Sequence, residues 1–156
     1  MTHRGRVRSA VAVGLAGLAV AGYWRWTTSG SEVAPDRAIV AEADLERGAA
    51  LYADHCATCH GPELEGQPDW RSPLPSGRLP APPHDASGHT WHHSDDVLFR
   101  VVREGTAAVV GGGYESDMAG FGNVLSDPEI RAVLAYIKST WPERERRHQE
   151  NVSRAD

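Results

Sequence analysis

The stretch Cys56-Ala57-Thr58-Cys59-His60 decides how the rest of the chain is read. Two thiols separated by two residues and closed by a histidine form the spacing of c-type haem attachment, in which each sulfur adds to a vinyl group and the imidazole ligates iron. At the end of a helix, residues i and i+3 share a face, so both sulfurs reach one porphyrin edge while the next residue turns beneath the ring. Two other chemistries use a Cys-x-x-Cys pair. A structural zinc needs further ligands, and the chain has no cysteine besides these two. A thioredoxin-like dithiol has no need of the adjacent histidine.

Working outward, the segment before the motif reads as a helix. Asp44 is its N-cap, and Leu45, Gly48, Leu51 and Tyr52 form one stripe that must pack against another element. A glycine inside a helix costs about 1 kcal/mol relative to alanine, so Gly48 points to a close helix contact. After the motif come Gly61, Leu64 and Gly66, then a proline-rich passage from Pro68 to Pro83 that excludes regular helix and reads as loop. Ser94-Asp95-Asp96 caps a second helix through Val97, Leu98, Val101 and Val102, stopped at Gly105. Gly111-Gly112-Gly113-Tyr114 breaks the chain before a loop, Met118-Ala119-Gly120-Phe121. Ser126-Asp127-Pro128-Glu129 opens a third helix, whose apolar face is Ile130, Val133, Leu134, Ile137 and Trp141 and which Pro142 ends. The remainder, residues 143–156, has balanced charge and almost no apolar residue, which predicts a solvated helix extension or disorder.

From about Leu45 to Trp141 the chain resembles a bacterial class I cytochrome c domain. CATCHG with Leu64 and Gly66 resembles the family's attachment segment, SDMAGFGNVLSDPEI its methionine loop, and RAVLAYIKSTW its last helix. The resemblance implies an all-α fold of three to five short helices, with long loops wrapping one covalent haem c. It implies Cys56 and Cys59 as the covalent attachment points, His60 as the proximal iron ligand and Met118 as the distal one. Met118 is the only methionine besides the initiator. A thioether on iron raises the potential relative to two histidines, whereas a core methionine filling a gap belongs on an apolar stripe rather than in a Gly-rich loop. The resemblance also implies that Gly48 and Tyr52 cross Val133 and Tyr136, and that Pro82 or Pro83 offers its carbonyl to the free N–H of the proximal histidine. One departure stands out: family members usually carry proline directly after the ligand methionine, and this chain has Ala119.

Four histidines, His84, His89, His92 and His93, surround Trp91. They could bind copper, with His89 and His92 the pair to test first, supply a second histidine to iron, or form a hydrogen-bonded loop with Trp91 packed near the haem. The last is the preferred reading.

A chain of 156 residues with 16 glycines and 10 prolines has room for one loop-rich domain with terminal extensions. Residues 36–141 carry eight basic against sixteen acidic side chains, a net −8, which argues against nucleic acid and suits a cationic protein partner. Arg4, Arg6 and Arg8 precede an uncharged apolar run from Ser9 to Trp24, which reads as an export signal. Ala19-Val20-Ala21 resembles a signal-peptidase site, while Tyr23, Trp24 and Trp26 suit the interfacial belt of a retained anchor, the preferred reading. The layout is then a membrane segment over residues 1–26, a flexible linker over 27–35, the cytochrome c domain over 36–142 and a charged tail over 143–156. Nothing resembles a nucleophile, an acid and base pair or a phosphate loop, so the expected function is not catalysis. It is single-electron transfer between respiratory protein partners on the outer face of the cytoplasmic membrane. Two alternatives are an electron-transfer subunit of a larger oxidoreductase and a copper-handling protein using the histidines.

Overall fold

The computed structural model describes residues 35–156, with side chains from residue 44 onward. The expected membrane segment, and the linker as far as residue 34, lie outside the described residues. Among the described residues no helix is long and apolar enough to cross a membrane.

Helix α1 spans Pro35–His55. It begins nine residues before the N-cap expected at Asp44, because nothing between Asp36 and Ala43 breaks a helix and proline is well suited to the first helical position. One further turn, α2 (Ala57–His60), carries the histidine of the motif. A long irregular passage follows, as the prolines require, and ends in a 3-10 turn at Thr90–His92. Helix α3 (Asp95–Glu104) starts where its cap predicts: the Ser94 hydroxyl accepts the Val97 N–H at 3.4 Å, and Asp95 and Asp96 sit at the positive end of the helix dipole. The short α4 (Thr106–Val110) has no forerunner in the sequence reading. Helices α5 (Asp127–Ser139) and α6 (Glu143–Ala155) complete the chain. No strand occurs among the described residues, where one antiparallel bridge pairs Gly105 with Ala119.

The core forms where α1 and the loops meet α5. Ile130, Val133, Leu134, Ile137 and Trp141, the whole apolar face expected of the last family helix, are buried with Tyr52, Leu64, Leu98 and Leu125. Gly48 allows the α1–α5 crossing. A Cβ placed there would lie 2.1 Å from the Ala132 carbonyl oxygen and 3.0 Å from Tyr136 Cβ, so the closest approach falls on Ala132 rather than on Val133. One turn on, the rings of Tyr52 and Tyr136 are 5.6 Å apart.

The start of α5 is tied to α1 by charge. The Glu129 carboxylate accepts from the Ser126 N–H at 2.8 Å, from the Ser126 hydroxyl at 2.6 Å and from Arg47 at 2.6 Å. The Ser126 bonds, then Arg47, lower its pKa from an ordinary 4.5 to about 2. A carboxylate depressed on folding contributes stability above its unfolded pKa and loses it as the pH falls through the folded one. Glu129→Gln is therefore expected to lower the urea midpoint of the haem-loaded protein at pH 7, with the difference from wild type shrinking between pH 4.5 and 2. A difference that stays constant across that range would show that the charge on Glu129 contributes nothing.

The C-terminal tail is a helix and is not wholly solvated. Helix α6 packs on the 3-10 turn and buries Gln149 completely and Glu145 nearly so. Gln149 Nε2 donates to Asp95 Oδ1 at 2.7 Å, and Ser153 Oγ accepts the Asp95 N–H at 3.0 Å. The His148 ring lies edge-on to both Trp91 and His92.

Candidate haem site

The end of α1 and the single turn of α2 set Cys56, Cys59 and His60 on consecutive turns. Cys56 is half-buried and Cys59 exposed. Burial, with Cys59 beside it, pushes the Cys56 thiol up to about 11. His60 is 6% exposed, and its Nδ1 lies 2.8 Å from the Pro82 carbonyl oxygen. A carbonyl only accepts, so Nδ1 carries the proton and Nε2 keeps its lone pair for a metal. Of the two prolines that the resemblance left open, the structure selects Pro82. Burial lowers the pKa of His60, which the bond to Pro82 partly opposes. An imidazole held neutral is one ready to ligate.

The loop that supplies Pro82 is itself fixed to the motif. Leu64 takes a left-handed backbone, φ 68°, which costs a residue with a Cβ roughly 1–2 kcal/mol, and its carbonyl accepts the His84 N–H at 2.8 Å. The Gly66 N–H returns to the His60 carbonyl at 2.7 Å. Gly66 has φ 69°, and a Cβ there would lie 2.4 Å from the Pro83 nitrogen, so only glycine lets the Pro82-Pro83 backbone pass.

Met118 comes from a separate loop, half-buried, and that loop is laced to the end of α3. Its N–H donates to Ser116 Oγ at 3.1 Å, and its carbonyl accepts the Thr106 N–H at 3.3 Å. Phe121 and Gly122 donate their N–H groups to the Val102 and Arg103 carbonyls at 2.8 and 2.9 Å. Arg78 Nη1 reaches Asp117, next to the methionine, at 2.6 Å and so links this loop to the proline-rich one. These bonds restrain the backbone at Ala119, where the resemblance implies a proline.

The histidines do not converge. His89 stacks on Trp70 with centroids 5.2 Å apart, His92 stacks on Trp91 at 3.7 Å, and His93 is edge-on to His89. His84 lies face to face with His60, with centroids 4.0 Å apart. Among the described residues no group of three or more His, Cys, Asp or Glu side chains is placed to hold a metal ion. The copper reading finds no support here, because the rings serve as flat packing surfaces. Desolvation, then neighbouring imidazoles, lowers the pKa of His84, His89 and His93.

The residues fit a haem. Two neighbouring thiols and an imidazole nitrogen directed for ligation stand together. Trp91 Nε1 and His89 Nδ1, moreover, are buried without a protein partner. Buried polar atoms are nearly always satisfied, and haem propionates are acceptors of the kind these two nitrogens lack. A family model for cytochrome c matches residues 45–141, well over half of the chain, and the protein belongs to the cytochrome c family. With that membership come a covalently bound c-type haem and the part of a haem-based electron carrier working with redox protein partners. Comparison with curated proteins and with solved structures finds no match.

Proposed function

We propose that Cys56 and Cys59 anchor the haem, that His60 and Met118 are its axial ligands, and that the protein carries single electrons between respiratory partners on the outer face of the cytoplasmic membrane. The bound iron supplies a one-electron Fe(III)/Fe(II) couple. The chain's own residues orient it: Pro82 holds the Nδ1 proton of His60, and Ser116, Thr106 and Arg78 hold the loop of Met118. The observation that supports the reading is the 2.8 Å contact between His60 and Pro82, which leaves the Nε2 lone pair free for ligation. The outward, membrane-held location is supported by the three arginines ahead of the apolar run from Ser9 to Trp24.

Met118→Ala tests the distal ligand. The oxidised wild-type protein is expected to show the weak far-red band of sulfur on ferric iron, and the variant to lose it. The potential should fall by on the order of 0.1 V, a fraction of the ~0.8 V range that axial ligands command. A wild-type protein without the band, or a variant that keeps it, would remove Met118 from the iron.

A further inference from the structure

His60 is held by more than its hydrogen bond. The bond to Cβ and the contact at Nδ1 fix two points of the ring and leave the imidazole to rock about the line that joins them. The His84 ring lies against its face, 23° from parallel. His84 is in turn held at three places. Its N–H donates to the Leu64 carbonyl at 2.8 Å, its carbonyl accepts Trp141 Nε1–H at 2.7 Å, and its Nδ1 is 2.8 Å from Thr90 Oγ1. The buried Thr90 hydroxyl also lies 3.4 Å from the Pro83 carbonyl, so it bridges the His84 ring to the Pro83 backbone. The carbonyls of Pro82 and Pro83 thus hold two imidazoles, the first directly and the second through Thr90. On another side the Tyr52 ring meets His84 edge-on, with centroids 6.3 Å apart.

We infer that His84 is a positioning residue for the proximal ligand: its ring, stacked on His60 and locked by Thr90, sets the plane in which the His60 imidazole faces the iron. An aliphatic side chain of similar size would fill the same space without offering a flat face, and the ligand plane would lose its stop. The consequence is electronic. In a low-spin ferric haem the orientation of the imidazole plane decides how unpaired spin divides among the four pyrrole rings, and hence which edge of the macrocycle presents the most density to a partner.

The inference rests on His60 being an axial ligand, and the experiment separates the two. Proton NMR of the oxidised, haem-loaded protein resolves the four haem methyl signals, whose order reports the ligand plane. His84→Leu is expected to change that order while leaving the covalent haem and the far-red band in place. Thr90→Val, which removes the hydroxyl beneath an unchanged His84, should shift the methyls the same way to a smaller extent, and His84→Phe, which restores a flat ring, should move them back towards wild type. His60→Ala tests the ligand itself. If it leaves the low-spin spectrum intact, the ligand assignment falls and the stack with it. If His60→Ala destroys that spectrum while His84→Leu leaves the methyl order unchanged, the stack alone is overturned. Should His84→Leu fail to mature, Thr90→Val decides: an unchanged methyl order there overturns the inference.

Discussion

Replacing Cys56 and Cys59 together with alanine is expected to abolish covalent haem retention. Protein matured in a cell that attaches haem should stain for haem-dependent peroxidase activity on a denaturing gel, and the double variant should not stain at all. Each single variant keeps one thiol able to bond one vinyl group, so a reduced signal should persist. Of the two, Cys59 is the exposed thiol, whereas Cys56 packs against the core. Cys56→Ala should therefore cost more in thermal stability, because it removes packing as well as a bond. Stability of the double variant should fall further, since a ligand bound only to the folded chain stabilises it in proportion to its retention. Undiminished stain in the double variant would show that the attachment lies elsewhere.

Gly48→Ala should destabilise the protein although alanine is the better helix former. Propensity alone favours the change by about 1 kcal/mol. Against it, the added Cβ would lie 2.1 Å from the Ala132 carbonyl oxygen and 2.6 Å from its carbon, atoms of a second helix backbone that no rotamer can move aside. Overpacking of this kind costs on the order of 3 kcal/mol, which leaves a net loss of about 2 kcal/mol. Urea unfolding of the haem-loaded variant measures it, with the exposed Ala50→Gly on the same helix as a control for propensity. A variant as stable as wild type would mean that α1 and α5 can separate without penalty.

The site was legible in the sequence where its logic is local. Cysteine spacing, the adjacent histidine and the Ser94 and Ser126 caps all work through neighbours a turn or less away, and the glycine inside α1 marks itself by its poor helix propensity, although the backbone it meets lies on α5. Which proline serves His60 was not legible, because two adjacent carbonyls point in different directions and only the path of the loop decides between them. The role of His84 was hidden for a similar reason: a ring stack depends on two loops meeting, and no periodicity records it. The tail is a helix, one of the two states expected of it, but its packing was not legible because no apolar stripe marks its buried face. Its buried face is made by Gln149 and Glu145, four residues apart, with His148 against Trp91, so a polar repeat carried the signal.

That polar face bears on what holds the histidine-rich turn in place. The family match stops at residue 141, and a chain cut there would retain every residue of the attachment motif and of the methionine loop. It would also lose the groups that Gln149 and Ser153 bring to Asp95, and the edge of His148 that shields Trp91. The thirteen residues of α6 are thus a buttress for the histidine-rich turn. A version of the domain cut back to the family match would therefore unroof the tryptophan, whereas one that keeps α6 would not.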